Sequence, residues 1–386
     1  MKLSLVSNFL NHHQMPFCKA LQRMLGEDYH FVATDVMPET QRNLGYADLY
    51  PEAPFALNDF GEQSLSTVRE SDVLILGSAP EHFLRTHLNA GKLAFRYSER
   101  PLKKGLELKK YLPRLILWRR RNPMSKSLYL LCASAYAARD YARFGLFRNR
   151  CYKWGYFPEA LQYTAEELFS RKQNAVPTLL WVGRLIDWKH PDDALSVARQ
   201  LKAAGYAFRL NIIGIGQMED SLRADVAAQN LEDCVSLLGS MPPEDVRKHM
   251  ENANIFLFTS DRQEGWGAVL NESMNSGCAV VASDAAGAVP YLVKDGENGL
   301  IYSSGDTDML YEKVKALLDH PEQQRVLGEA AYRTITELWN ADVAAERFLQ
   351  LSQAILAGDA HPDLFPDGPC SRADYFSNRQ RKGHGK

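Results

Sequence analysis

Short apolar runs separated by helix-length segments recur through most of this chain, and that alternation constrains its fold more than any other feature. In the first part the runs are Leu3 to Val6, Phe31 to Ala33, Val73 to Leu76, Leu93 to Phe95 and Leu128 to Ala133. Unbroken apolar runs of this length suit strands buried on both faces, the condition of a parallel sheet covered by helices. After a polar stretch the pattern restarts with Thr178 to Val182, Leu210 to Ile213, Val235 to Leu238, Ile255 to Phe258, Ala279 to Ala282 and Leu300 to Tyr302. Two Rossmann-like parallel α/β domains are therefore expected, over residues 1–157 and 158–340. A helix at 341–357 is expected to return to the first domain, and the Pro-, Gly-, Ser- and Arg-rich residues 358–386 read as a polar tail with little to bury. A length of 386 residues suits two cores of ordinary size.

Composition narrows the function. A formal net charge of −2 gives no general pull toward nucleic acid, and no RNA-binding motif accompanies the basic residues. The cysteines at 18, 132, 151, 234, 278 and 370 form no C-x-x-C pair, and three lie in apolar runs, as expected of reduced thiols in a cytoplasmic protein. The apolar run at the N-terminus is too short for a signal peptide, and no stretch of about 20 apolar residues predicts a membrane span.

The second domain holds the residues with the clearest chemistry. In Glu264-Gly-Trp-Gly-Ala-Val-Leu-Asn-Glu272 two carboxylates, with seven residues between them, flank a glycine-rich corner that should open a helix stopped by Gly277. A helix start offers unpaired N–H groups and partial positive charge to an anion, while carboxylates suit sugar hydroxyls. The same spacing also fits an ordinary strand, turn and acidic helix. Upstream, Gly183, Arg184 and Lys189 follow a buried run, so both cations should project from the carboxyl end of a parallel strand, where open α/β sheets bind ligands. Together they suit a diphosphate, although two solvated surface cations would look the same. Gly214-Ile-Gly216 lacks the third glycine of a dinucleotide fingerprint, since Glu219 stands there, so a tight turn near a nucleotide is favoured over NAD binding. Asp284 to Pro290 adds a further glycine corner.

Taken in order and at these intervals, the Gly-Arg-x4-Lys segment, the G-x-G turn, the Glu-x7-Glu corner, the glycine corner and Asp295-Gly-Glu-Asn-Gly-Leu300 resemble the C-terminal half of a family 4 retaining glycosyltransferase of the GT-B fold. The match covers about residues 177–305. The resemblance implies two Rossmann-like domains facing a cleft and a nucleotide diphosphate sugar as donor. It implies that Arg184 and Lys189 neutralise the diphosphate, that Glu264 holds the transferred sugar and Glu272 the ribose, and that Gly183, Gly214, Gly265, Trp266, Gly267 and Ala268 complete the donor site. No metal and no cofactor are implied. The chain departs from the family at Tyr291, where members usually carry an acid, and at Ser7 to Gln14, where many have a glycine-rich loop.

For the acceptor or phosphate side, Asn11, His12, His13 and Gln14 follow the first strand, where imidazolium or amide donors would suit either ligand; surface or helix-capping histidines would read the same way. Adjacent histidines with no carboxylate at ligand spacing argue against a metal. A histidine that the family often carries on a later strand is replaced here by Arg96 or Glu99. Residues 109–122 mix Lys109, Lys110 and four arginines with Leu115, Ile116, Leu117 and Trp118, which suits an anionic membrane surface or a partly buried helix with basic ends. The expected activity is metal-independent, retaining transfer of a sugar to a glycan or lipid-linked acceptor in surface polysaccharide synthesis, by a cytoplasmic enzyme peripheral to the membrane. A sugar-nucleotide 2-epimerase and a non-catalytic sugar-nucleotide-binding protein are the competing expectations.

Overall fold

The computed structural model describes residues 1–39, 49–58 and 61–373, and the chain divides into two compact units, 1–159 with 339–386, and 160–338. The first unit is built on the parallel strands β1 (Leu3–Ser7), β2 (Tyr29–Ala33), β3 (Ala56–Leu57), β4 (Val73–Leu76), β5 (Leu93–Ser98), β6 (Leu128–Cys132) and β7 (Cys151–Lys153), in the order β3-β2-β1-β4-β5-β6-β7. Every residue of β1, β4 and β6 is buried, as the unbroken apolar runs require. Its helices are α1 (Met15–Leu25), α2 (Glu62–Glu70), α3 (Glu81–Asn89), α4 (Tyr111–Arg121) and α5 (Ala137–Ala142). One layer of core joins Leu74, Leu76 and Leu130 of the sheet to Leu84, Tyr141 and Phe144.

The second unit repeats the plan with β8 (Thr178–Val182), β9 (Arg209–Ile213), β10 (Val235–Gly239), β11 (Ile255–Phe258), β12 (Ala279–Ser283) and β13 (Leu300–Tyr302), in the order β10-β9-β8-β11-β12-β13, all parallel. Its helices are α6 (Ala165–Ser170), α7 (Pro191–Ala203), α8 (Glu219–Ala228), α9 (Pro243–Asn252), α10 (Ala268–Asn275), α11 (Val289–Leu292), α12 (Thr307–Asp319) and α13 (Pro321–Arg333). In each sheet the strand order reverses beside the first strand, between β1 and β4 and between β8 and β11. The loops that leave the carboxyl ends of those strands diverge there and open a crevice for ligands.

The chain then re-enters the first unit as α14 (Ala341–Leu356). Asn340 starts it by accepting a hydrogen bond from the Val343 amide. It packs on α1, and Phe348 lies edge-on to Phe95. The segment after it differs from the expectation of a polar tail with little to bury. Residues 370–373 run antiparallel along β7: the Lys153 amide donates to Ser371 O at 2.8 Å, the Cys370 amide to Lys153 O at 2.8 Å, and the Ala373 amide to Cys151 O at 3.1 Å. Cys370 is buried, and Arg347 holds the segment by donating to Asp367 O and lying over Phe365. Composition alone hid this, because the segment's stability comes from backbone pairing with a strand more than 200 residues away. Residues 374–386 of the expected tail lie outside the described residues. All six cysteines are free thiols, and among the described residues no helix is long and apolar enough to cross a membrane.

Candidate functional site

At the switch point of the second unit, the structure brings the β8 and β11 loops together around one ion pair. Lys189 Nζ lies 2.6 Å from Glu264 Oε2, and Ser260 Oγ donates to the same oxygen at 3.2 Å. Both side chains are largely buried, at 12 % and 11 % exposure, so the two charges hold each other in place with little help from water. Both bonds fall on Oε2, and Oε1 is the oxygen left to accept from a ligand hydroxyl. Lys189 ends a short 3-10 turn, Asp187–Lys189, and its carbonyl accepts from Thr259 Oγ1, which in turn accepts from Trp181 Nε1. The lysine backbone is thus fixed to both strands that define the switch point. Trp188, not singled out from sequence, sits between the cations: Arg184 Cζ is 5.7 Å and Lys189 Nζ 5.1 Å from its ring centre. Arg184 itself is exposed.

Two glycines make this geometry possible. Gly214 has φ +138°, and a Cβ there would fall 1.8 Å from Gly183 O, so the β9 loop can cross the β8 loop only without a side chain. The turn near a nucleotide expected at Gly214 is first of all this crossing. Gly267 has φ +95°, and a Cβ there would meet Phe258 Cζ at 2.4 Å. It starts α10, whose first amides have no partner within the helix. Gly265 and Ala268 are buried beside it. Trp266, expected in the donor site, is fully buried, and its indole N–H donates to Asn271 Oδ1 at 2.9 Å. Its ring is a core group, so only its backbone remains to meet a ligand. The glycine corner is tied to the same loop, since the Gly287 amide donates to Glu264 O at 3.1 Å. Tyr291, where an acid was expected from the resemblance, is buried with its ring 6.2 Å from Trp266.

Glu272 lies in the second turn of α10, half-buried, and desolvation holds its carboxyl above the usual range, with Arg247 opposing that shift. Arg247 also donates to Glu272 O, Asn275 Oδ1 and Ser276 Oγ, capping the end of α10. Among the described residues, the group able to present three metal-ligating atoms is His190, Asp192 and Asp193, all within 4.8 Å of one another. Burial raises the Asp193 carboxyl to about 6. Asp192 and Asp193 stand in the first turn of α7, where the helix dipole favours acids.

The first unit has its own cavity, of about 600 Å³, at the matching edge of its sheet. Asn11, His13, Gln14, Arg96 and Glu99 all line it, so most of the expected acceptor-side residues meet here although they are spread over 88 positions from Asn11 to Glu99. His12 does not line it; it packs against His13, with ring centres 3.8 Å apart. Asn11 Oδ1 accepts from the amides of His13 and Gln14, an Asx turn ahead of α1, whose N-cap residue Gln14 makes no side-chain capping bond. An imidazolium at this site is not what the structure supports. Burial, then His12, pushes the His13 pKa down to about 3, and burial lowers that of His12, so both rings are neutral at neutral pH. Two buried polar atoms at this edge, His13 Nδ1 and Gln14 Oε1, have no hydrogen-bond partner. Polar atoms left unmet in this way are groups that a polar ligand would satisfy.

The Arg96 guanidinium, by contrast, is committed. It is buried, paired with Glu81, and donates to Asn122 Oδ1 at 3.0 Å and Arg121 O at 2.9 Å. It therefore braces the wall more than it faces a ligand. Glu99 accepts from Tyr156 Oη at 2.7 Å and pairs with Lys103. Glu81 and Tyr156, not found from sequence, line the cavity, as does Trp118, read from sequence only as part of the basic segment. The one available signal was Glu81 directly after Pro80 at a helix start, beyond a buried strand.

Residues 165–334 match the family model of glycosyl transferases group 1. Over 137 residues, 34 % of this chain and 33 % of the relative, the chain is 35 % identical to the amylovoran biosynthesis glycosyltransferase AmsK of Erwinia amylovora. Over 184 residues, 46 % of this chain and 45 % of the relative, it is 30 % identical to the putative colanic acid biosynthesis glycosyltransferase WcaL of Salmonella typhimurium. The chain thus spans less than half the length of the relatives it matches. Among solved structures, Anabaena HepE in complex with UDP superposes with a TM-score of 0.69 at 14 % identity, over 92 % of this chain and 100 % of that one. The lipopolysaccharide outer core galactosyltransferase WaaB superposes at 0.66 and 15 %, over 92 % and 99 %. The fold is that of the GT-B glycosyltransferases, and the residues resembling the group 1 family are those of the second unit, where Lys189 meets Glu264.

Proposed function

We propose that this chain is a family 4 glycosyltransferase that moves a sugar from a nucleotide diphosphate sugar to a glycan or lipid-linked acceptor, with retention and without a metal. The observation that carries the reading is the buried Lys189–Glu264 pair at the switch point, inside the segment matched by the group 1 model. Relatives named for amylovoran and colanic acid synthesis support a surface polysaccharide as product, and the UDP bound to HepE supports a nucleoside diphosphate donor.

The hard step is breaking the anomeric C–O bond while negative charge grows on the diphosphate. Arg184 and Lys189 supply fixed positive charge there, and the first amides of α10 add oriented dipoles, which is the work a divalent metal does in other designs. Glu264 holds Lys189 in position and has one oxygen for a sugar hydroxyl, so it is a positioning residue for the donor and not a base. Glu272, with its proton affinity raised by burial, suits the ribose hydroxyls. The acceptor is received by the cavity of the first unit, through His13, Gln14 and Glu99. The enzyme works at the inner face of the membrane, held peripherally through residues 109–122.

A panel of UDP-, GDP- and ADP-sugars, read by thermal shift with and without EDTA, tests the donor site. One class should raise the melting temperature equally in both conditions. No stabilisation by any of them would overturn the donor assignment, and stabilisation lost in EDTA would overturn metal independence. NMR of the product anomer decides retention.

A further inference from the structure

The charges on the lining of the first-unit cavity are mostly spent on one another. Arg96 is paired with Glu81 and donates to Asn122 and to the Arg121 carbonyl, while Glu99 is paired with Lys103 and accepts from Tyr156. Arg121, the other arginine of the lining, is exposed, with its Cζ 5.6 Å from the Trp118 ring centre, and water screens its charge there. The buried polar atoms without a partner at this edge belong instead to two neutral side chains, His13 and Gln14.

The bonds around Gln14 decide which end of its amide is on offer. Ser7 Oγ donates its one proton to Asn8 Oδ1 at 3.2 Å, so only its lone pairs remain for Gln14, whose Nε2 donates to Ser7 Oγ at 3.4 Å. This chain turns the amide so that Oε1 is the atom left unmet, and a carbonyl oxygen accepts but cannot donate. Ser7, Asn8 and Gln14 all line the cavity. The backbone beneath them is fixed as well, since the Gln14 amide donates to both Asn11 O at 3.0 Å and Asn11 Oδ1 at 3.2 Å.

A ligand that completes this edge must therefore bring an O–H or N–H to Gln14 Oε1. A sugar hydroxyl does so. An ionised carboxylate or phosphate cannot: it would set its own lone pairs against that carbonyl, near Glu81 and Glu99, while the buried cation of the lining, Arg96, is already committed. The burial that holds the His13 imidazole neutral down to about pH 3 penalises an incoming anion in the same way. Tyr97, Trp118 and Tyr141 add aromatic surface to the lining, which suits the C–H faces of an uncharged ring.

We infer that this cavity discriminates by charge: it takes a neutral acceptor sugar, whose hydroxyl donates to Gln14 Oε1, and rejects a sugar that carries a carboxylate or phosphate at that position. The inference rests on the reading of the cavity as the acceptor site and makes Gln14 the residue that sets the preference.

Saturation-transfer NMR titrations of the full chain test it, with methyl α-D-glucopyranoside and methyl α-D-galactopyranoside against the corresponding methyl uronides and glucose 6-phosphate. At least one neutral glycoside should bind roughly ten-fold or more tightly than its anionic counterpart. Gln14→Leu should weaken the neutral sugar by about five-fold, the weight of one neutral hydrogen bond. Gln14→Lys, which offers a cation in place of the carbonyl, should move the preference toward the uronide, a reversal that mere loss of packing would not produce. Uronide binding as tight as that of the neutral sugar, or a preference unmoved by both variants, overturns the inference alone. Binding of neither class, with nucleotide-sugar thermal shifts intact, overturns the acceptor reading of the cavity and the inference with it.

Discussion

The two switch points occupy equivalent places in two similar sheets, yet their chemistry is opposite. In the second unit Lys189 and Glu264 satisfy each other, supported by Ser260 and by a chain of bonds through Thr259 to Trp181. In the first unit the wall is braced by Arg96 and Glu81, while His13 Nδ1 and Gln14 Oε1 are left unmet. On the proposed mechanism, charge that would act on a developing anion is held ready in a preorganised pair, which costs little reorganisation. On the proposed reading, groups that would recognise a hydroxylated molecule are instead left wanting partners, which the molecule's arrival would complete.

The strongest way to break this contrast is Lys189→Ala. It leaves Glu264 buried without its cation and, on the proposed mechanism, removes positive charge from beside the leaving diphosphate, so transfer should fall by roughly 10²–10³-fold, about 3–4 kcal/mol, in steady-state kinetics. Lys189→Met combined with Glu264→Leu should recover stability in urea unfolding but not activity; recovered activity would mean that the pair is structural only. Next, Gly267→Ala sets a Cβ against Phe258 and strains a left-handed backbone, and should cost on the order of 2–3 kcal/mol of stability by denaturant titration. A cost near zero would show that the corner is softer than the cavity wall, reversing the comparison.

Acid should then separate the two regions. His13 is held neutral in the fold, with a pKa of about 3 against 6.5 unfolded, so its contribution is complete above pH 6.5 and is lost as the pH falls toward 3. The loss is steepest at about 1.4 kcal/mol per pH unit, and His13→Gln should flatten that limb of the pH–stability curve. Asp193 works the other way. Its pKa, raised from 3.8 to about 6, favours the fold at low pH, and that advantage fades as the pH rises through this interval. Asp193→Asn should remove the opposing slope, and an unchanged curve in either variant would contradict the assigned burial. The smallest effect belongs to Tyr156→Phe, which takes one bond from Glu99 and should raise the acceptor KM with donor affinity unchanged, about 1 kcal/mol by kinetics.

What could be read from sequence was set by how local its cause is. Ile255 to Phe258 is apolar throughout and Leu3 to Val6 is apolar but for Ser4, and short runs like these between helix-length segments suit strands buried on both faces. Gly267 was legible as a corner because only a glycine sits easily at positive φ. Trp266, one residue earlier, has its ring in the core, which the sequence did not tell, since adjacent residues point opposite ways and no pattern says which way is inward. Arg96 was picked out but not its bracing role, because Glu81 and Asn122 approach it only through the order of the sheet. The His13 imidazole reads as a cation in isolation, and only burial beside His12 makes it neutral.

The short run of chain laid along β7 has a consequence for how this protein keeps to itself. Strand β7 is the outermost of its sheet, and its free edge would offer unpaired amides and carbonyls to any passing strand. Residues 370–373 occupy that edge, and Tyr152 Oη donates to Pro362 O just outside it. A chain cut after residue 357 would keep both candidate sites and lose its guard, becoming prone to join edge to edge with its own copies.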